Sequence, residues 1–206
     1  MPPEISRLAN LEELYLGNNR LTFLTPEVAK LSKLKHLDLS GNFLTNLPPD
    51  LFRFPKLKTL SVSFNQLTSL PPEIAQLSKL RYLDLSGNQL TTLPMEFGQL
   101  ASLKHLYFGD NFLTTLPFAI SQLPRLRELD VHNNQLTSLP AEISQLSNTL
   151  EWLDLRDNQL SNLPPEISQL SELEWLDLAG NALSIPDEVL QLVEEPEEIL
   201  RHCLNS

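Results

Sequence analysis

Apolar residues recur along this chain of 206 residues with a fixed spacing, in a frame that reads L-x-x-L-x-L-x-x-N-x-L-x-x-L-P-x-x-I-x-x-L-x-x. Successive copies are 23 residues apart, except for one step of 24 between Asn134 and Asn158. A period in this range is the signature of stacked copies of one small structural unit. We place the first leucine of the copies at residues 11, 34, 57, 80, 103, 126, 150 and 173.

The first half of each unit predicts a short β-strand followed by a turn. Its L-x-L alternation has the period of two that a strand shows when one face is buried. An asparagine follows every strand, and we expect its short side chain to satisfy backbone groups of its own turn and of the next repeat. The predicted structural ladder consists of Asn19, Asn42, Asn65, Asn88, Asn111, Asn134, Asn158 and Asn181.

The second half of each unit predicts one or two turns of helix, of either the α or the 3₁₀ type. Leu-Pro opens it, usually followed by an acidic residue, and both proline and a carboxylate suit the first turn of a helix. A unit of 23 residues is too short to bury a core alone, so the copies must stack. The expected connection from strand to parallel strand is right-handed.

In these motifs the chain resembles leucine-rich-repeat proteins of the 23-residue L-P-x-x-I kind, over essentially residues 2–194. The resemblance implies an α/β class fold: a right-handed solenoid, or horseshoe. About eight parallel strands would form its concave sheet, with short helical or 3₁₀ segments on the convex side. Within the frame such a fold implies binding more than chemistry, so function is sought where the copies differ.

We divide the chain into a solenoid over residues 1–194, including a half repeat at 1–10, and a helical C-terminal cap over residues 186–206. The half repeat has no polar cap before the first strand, so we expect that another segment supplies the cap or that the chain is a piece of a longer one. Self-association through this end or through the concave face is a further expectation. The segment from Ile185 to Leu200 also resembles the end of the repeat domain in bacterial Roco proteins, before their GTPase. No G-x-x-x-x-G-K-[ST] loop occurs here, and no cofactor is expected.

The charge and cysteine content narrow the classes of partner. A formal net charge of −11 argues against nucleic acid or an anionic membrane as the main partner. Cys203 is the single cysteine, so no internal disulfide can form, and no apolar signal or spanning segment occurs. We expect a cytoplasmic protein, with secretion after signal-peptide removal as the alternative.

Strand positions 3, 5 and 7 of the frame are expected to project from the concave face. Both tryptophans of the chain fall there, on neighbouring strands, and grouped exposed aromatics are typical of binding hot spots. The alternative is incidental cross-strand stacking. The candidate partner-binding residues are Tyr15, His36, Asp38, Tyr82, Asp84, His105, Tyr107, Asp130, His132, Trp152, Asp154, Arg156, Trp175 and Asp177.

A second row of charge flanks the first leucine, where the chain enters each strand. It contains Lys33, Lys35, Lys56, Lys58, Lys79, Arg81, Lys104, Arg125 and Arg127, nine of the fifteen basic residues. The row ends at the one-residue insertion near Asn148 and Thr149. It either steers a charged partner or simply keeps a solvated edge soluble.

Three functions are consistent with these patterns. The first is a non-enzymatic interaction module that holds a protein partner on the concave face, centred on Tyr82, Tyr107, Trp152 and Trp175. The second is the same module as a regulatory or sensor domain of a larger signalling protein, such as a Roco-type GTPase. The third is an enzyme or metal-binding protein that uses concave His and Asp residues. No metal ligand set is assigned, because a shallow sheet desolvates its side chains little.

Overall fold

The computed structural model describes residues 3–205 and contains one parallel sheet of eight strands, in the order in which they occur along the chain. Each strand has three residues, at positions 3 to 5 of the frame. The strands are β1 Glu13–Tyr15, β2 His36–Asp38, β3 Thr59–Ser61, β4 Tyr82–Asp84, β5 His105–Tyr107, β6 Glu128–Asp130, β7 Trp152–Asp154 and β8 Trp175–Asp177.

Every strand pairs with the next in the same register, so equivalent frame positions stand side by side. The central leucines form one row, as in the pairs of Leu60 with Leu83 and of Leu83 with Leu106. The frame leucines behind this row are buried in a single apolar core that runs through the stack. Truncating one fully buried leucine to alanine in such a core costs roughly 2–5 kcal/mol.

The convex side consists mainly of 3₁₀ helices, which confirms the expected short helical segments. Proline opens most of them and an acidic residue lies in most of the first turns, where both favour helix initiation. The 3₁₀ helices are Pro3–Arg7, Pro26–Lys30, Pro49–Arg53, Pro72–Gln76, Met95–Gln99, Ala141–Leu146 and Pro165–Gln169. The α-helices are α1 Phe118–Ser121, α2 Asp187–Leu190 and α3 Pro196–Asn205.

The asparagine ladder satisfies buried backbone groups, but toward the preceding repeat and not toward the next. Asn88 donates from Nδ2 to the carbonyls of Leu85 and Ser86 in its own turn and of Val62 one repeat earlier, at 2.9–3.3 Å. Its Oδ1 accepts the amide of Leu67 at 3.0 Å. The direction was therefore wrong in the sequence analysis. It follows from the turn, which brings each asparagine beneath the end of the previous strand.

At the C-terminal end, α3 packs beside α2 and beside the 3₁₀ helix Pro165–Gln169. Ile199 and Leu200 of α3 are buried in the same apolar core as the repeats. Cys203 is half-buried, and burial raises the pKa of its thiol. Within residues 3–205 no helix combines the length and the apolar character that a membrane crossing requires.

Candidate protein-binding face

The concave face consists of the outward side chains at frame positions 3, 5 and 7, and the in-register sheet arranges them in three rows. Position 3 places Trp152 opposite Trp175, and position 5 places Tyr107 between Asp84 and Asp130. All fourteen candidate residues therefore belong to one surface. They do not all reach solvent from it, and their contacts divide them into separate groups.

Trp152 and Trp175 form a stacked aromatic pair on the concave face. Their ring centroids are 4.3 Å apart and their planes are inclined by only 11°, so the indoles are stacked. Both residues are half-buried, which leaves part of the pair open to solvent. A rigid, partly exposed aromatic pair of this kind offers a large contact area at little entropic cost.

A second aromatic group centres on Tyr107. Its ring lies 5.2 Å from that of Tyr82, and its hydroxyl donates to Oε2 of Glu128 at 2.6 Å. His105 contacts the same carboxylate oxygen through Nδ1 at 2.9 Å. Burial and then this hydrogen bond raise the pKa of Tyr107. Burial raises the pKa of Glu128, but the bonds from Tyr107 and His105 outweigh it, so the net shift is downward.

Arg156 is held in place by carboxylates. Its guanidinium donates to both oxygens of Asp154 at 2.6–3.0 Å, and Nε lies 3.5 Å from Oδ2 of Asp177. The hydrogen bonds to Asp154 raise the pKa of Arg156 further above its ordinary value. Burial raises the pKa of Asp177, with the charge of Asp154 adding to the shift. The result is one fixed cation on an otherwise acidic surface.

The aspartates at position 5 have a structural role that sequence reasoning did not assign. Each accepts the backbone amide two residues later at 2.9–3.0 Å. The expectation that all of them contact a partner needs correction, because Asp154 is 0% exposed and Asp130 is only 9% exposed. The residues with this bond are Asp38, Asp84, Asp130, Asp154 and Asp177.

His132 lies between two carboxylates. Its Nδ1 is 2.6 Å from Oδ1 of Asp130, and its Nε2 is 3.4 Å from Oδ2 of Asp110. Burial lowers the pKa of His132, but the hydrogen bond and charge of Asp130, aided by Asp110 and Asp154, outweigh it, so the pKa is raised. Gly109 leaves the space that the imidazole ring occupies, since a Cβ atom there would collide with it.

His36 and Asp38, both candidates on the concave face, make separate contacts. His36 contacts the hydroxyl of Thr59 through Nδ1 at 3.0 Å, while Asp38 accepts the amide of Ser40. At the N-terminal edge, Tyr15 is largely exposed and donates to Glu13 at 2.9 Å. The hydrogen bond to Glu13 is the main cause that raises the pKa of Tyr15.

One group on this face has the donor types of a metal site. Asp130, His132 and Asp154 each offer a ligand atom, and these atoms lie within 4.8 Å of one another. The guanidinium of Arg156 already donates to both oxygens of Asp154. A metal ion would have to displace Arg156 from Asp154. The main role of this arrangement is therefore to position the guanidinium of Arg156.

Every turn after a strand uses the left-handed backbone region at frame position 8, which the sequence analysis also missed. The signal was present, because Gly, Asn or Asp occupies this position in seven of the eight repeats. Phe64 is the exception, with φ of 52° and a ring that is 63% exposed. The φ angles lie between 47° and 72° at Asn18, Gly41, Phe64, Gly87, Asp110, Asn133, Asp157 and Gly180.

The comparisons with solved structures agree with this geometry. A leucine-rich-repeat protein of Leptospira interrogans matches with 40% identity and a TM-score of 0.87, over 98% of this chain and 50% of its own. The plant peptide hormone receptor RGFR1, solved with RGF2, matches with 34% identity and a TM-score of 0.75, over 92% of this chain and 32% of its own. The chain thus spans half or less of these proteins.

The ectodomain of the receptor kinase GASSHO1/SCHENGEN3 from Arabidopsis thaliana, solved with Casparian strip integrity factor 2, matches with 34% identity and a TM-score of 0.69. The match covers 92% of this chain and 27% of that one. A comparison with curated proteins gives no significant match. The leucine rich repeat family model matches residues 9–54, 55–113, 96–136 and 124–183, which together cover most of the chain. The chain therefore belongs to the leucine-rich-repeat family.

Proposed function

We propose that this chain is a non-enzymatic module that binds a protein partner on its concave face. The contact is centred on Tyr82, Tyr107, Trp152 and Trp175. The observation that carries the proposal is the stacked, partly exposed pair of indoles on β7 and β8. Stacking alone would stabilise the sheet, but it would not require the pair to stay open to solvent.

The similar structures support the choice of a peptide or protein as the ligand. RGFR1 was solved with RGF2, and GASSHO1/SCHENGEN3 with Casparian strip integrity factor 2. Their repeats and ours share the parallel sheet on which the four aromatic residues lie. The matched part covers a third or less of either receptor, so the ligand itself is not transferred.

The charges of the concave face favour a partner segment that is basic. Carboxylates flank both aromatic groups: Glu128 beside Tyr107, and Asp177 beside Trp175. Lysine or arginine side chains of a partner could stack on the indole faces and approach these carboxylates. Binding of this kind should weaken with added salt, because exposed charge pairs are screened.

Tryptophan fluorescence gives a direct test, because Trp152 and Trp175 are the chain's two tryptophans. Peptides selected from a displayed library on the wild-type protein are titrated while the emission is followed. We expect a saturable change in emission for peptides enriched in Lys and Arg. The same peptides should bind at least about tenfold more weakly, by calorimetry, to the Trp152→Ala, Trp175→Ala double variant.

The matched control removes two exposed apolar side chains from the convex side, with Met95→Ala and Phe118→Ala. This variant should bind like the wild type. If the tryptophan variant retains full affinity, or if both double variants lose it equally, the concave site is wrong. Circular dichroism melts establish that each variant is folded.

A second candidate is the same module as the sensing part of a larger signalling protein. The similarity to a plant peptide hormone receptor and to the ectodomain of a plant receptor kinase favours it. A reading frame that continues past Ser206 into a GTPase or kinase domain would support this candidate. A change in the activity of that domain when the concave face is occupied would then establish coupling. The resemblance to Roco proteins stays a prediction.

Catalysis is not part of the proposal. His105 and Glu128 form one imidazole–carboxylate pair on this face, yet their side chains are 32% and 35% exposed, so desolvation activates them little. In hydrolase assays, the wild type and His105→Ala should both give the background rate measured without protein. A cytoplasmic location also stays a proposal, and fractionation of the source cells with an antibody to the chain tests it.

A further inference from the structure

The residues that precede the strands form a continuous backbone ladder along one edge of the sheet. From the second repeat onward, the amide at frame position 2 donates to the carbonyl of its equivalent one repeat earlier at 2.7–2.9 Å. Their side chains therefore follow one another at the strand spacing of about 4.8 Å. In order, the ladder contains Glu12, Lys35, Lys58, Arg81, Lys104, Arg127, Glu151 and Glu174.

The first and the last basic residue of this ladder each form an ion pair with a neighbouring glutamate. Lys35 pairs with Glu12 at 2.6 Å, and Arg127 pairs with Glu151 at 3.0 Å. Among the residues that the structure describes, Lys104 has no ion-pair or hydrogen-bond partner for its ammonium group. Arg125, at position 23 of the same repeat as Lys104, is exposed and equally unpaired within the described part of the chain.

The single 24-residue repeat forms a cavity beside these cations. Its 3₁₀ helix, Ala141–Leu146, has six residues where the others have five. The amides of Thr149 and Leu150 both donate to the carbonyl of Leu146 at 3.0 Å, so the extra residue bulges and Asn148 is exposed. The resulting cavity has a volume of about 320 Å³ and is lined by Lys104, Arg125, Arg127, Asn148, Thr149 and Glu151.

This cavity is locally cationic in an acidic protein. Three cations and one carboxylate line it, whereas the whole chain carries a formal charge of −11. Since Glu151 already neutralises Arg127, the charges of Lys104 and Arg125 remain uncompensated. An anion is therefore attracted here and repelled by most of the remaining surface. Asn148 and Thr149 add neutral hydrogen-bond donors at the same opening.

We propose that this cavity binds a phosphate-type oxyanion. Two uncompensated cations match the two negative charges of such a group, and the guanidinium forks of Arg125 and Arg127 suit its oxygens. A water molecule takes up about 30 Å³ in the liquid, so the cavity has room for a tetrahedral anion with some of its hydration water. The anion is either free phosphate or a phosphoryl group carried by a partner protein. This site is independent of the proposed tryptophan contact.

Calorimetric titration with inorganic phosphate, and with a serine peptide in its phosphorylated and unphosphorylated forms, tests the site at low ionic strength. We expect saturable binding of one of these ligands. Binding of inorganic phosphate identifies free phosphate as the source, whereas binding of the phosphorylated peptide without binding of inorganic phosphate identifies a phosphoryl group on a partner protein. The variant Lys104→Gln plus Arg125→Gln should bind at least about tenfold more weakly. Asn148→Asp keeps every cation, yet it should weaken binding similarly by placing a carboxylate at the opening.

The matched control is Lys56→Gln plus Lys79→Gln, which removes the same charge from the same edge but outside the cavity. It should retain most of the affinity. The proposal is overturned if neither phosphate nor phosphopeptide binds saturably, or if the control loses as much as the cavity variant. Replacing Trp152 and Trp175 with alanine should leave phosphate binding unchanged, so this proposal and the concave-face proposal fail separately.

Discussion

The guanidinium of Arg156 donates to both oxygens of Asp154 at 2.6–3.0 Å, and this carboxylate is 0% exposed while the side chain of Arg156 remains 44% exposed. The pair joins the core of the solenoid to its concave surface. Asp154 also accepts the backbone amide of Arg156 at 3.0 Å. One buried residue thus fixes both the turn after β7 and the guanidinium of Arg156 on the concave face.

Asp154→Ala should therefore lower the free energy of unfolding by about 1–3 kcal/mol, because it removes a buried acceptor and leaves Arg156 without its main partner. Urea denaturation followed by circular dichroism measures the loss. Asp38→Ala is the control, since Asp38 is half-buried and the structure gives it only the Ser40 amide as a hydrogen-bond partner. An equal loss in both variants would show that the Arg156 contact contributes nothing.

The asparagine ladder predicts a stability difference between inner and outer turns. Asn88→Ala should cost about 1–3 kcal/mol, because buried carbonyls and the Leu67 amide lose their partner. Asn19→Ala should cost clearly less, since Asn19 is exposed and, among the described residues, donates only to Leu16 and Gly17 in its own repeat. Chemical denaturation of the two variants side by side decides, and equal costs would contradict the cross-repeat role.

His132 makes the stability depend on pH in a defined direction. Its pKa is raised in the folded state, so the folded protein binds the proton more tightly than the unfolded chain. Its contribution is fully present below the unfolded pKa of about 6.5 and is lost as the pH rises through the folded pKa. The difference in unfolding free energy between the wild type and His132→Ser should therefore shrink from mildly acidic to alkaline pH.

Asp130→Asn should reduce this pH dependence, because Asp130 supplies the strongest contact that raises the pKa of His132. Denaturation curves at several pH values, in the wild-type and Asp130→Asn backgrounds, provide the comparison. A difference that is constant with pH in the wild-type background would show that His132 does not hold its proton through these carboxylates.

Phe64 should be replaceable with a gain in stability. It adopts the left-handed region, at φ of 52°, where asparagine is tolerated far better than an aromatic residue. Phe64→Asn should raise the free energy of unfolding by up to about 1 kcal/mol, less any contact that the ring makes over Gly87. A thermal melt measures it. Phe43→Asn, the same exchange outside the left-handed position, should give no gain.

The repeat pattern was sufficient to predict the stack, because each frame position does one job in every copy. Leu83 is buried between Leu60 and Leu106 because its frame position faces the core in every repeat. The period of the sequence alone is enough to predict this burial. The 3₁₀ segments and the asparagine turns followed from proline, carboxylates and spacing. These preferences act within a single repeat and recur in every copy, so one sequence is enough to reveal them.

The contacts between different columns could be decided only by the tertiary structure. His36 and Asp38 are close in sequence, yet His36 turns to Thr59, and Asp154 lies buried under Arg156 although its frame position points outward. Such choices depend on which neighbouring side chain leaves space one strand away, as Gly109 does for His132. The sequence by itself determined the solenoid and the row on which each residue stands. Packing across strands, where rotamers compete for shared space and hydrogen bonds, decided which of these residues faces a partner.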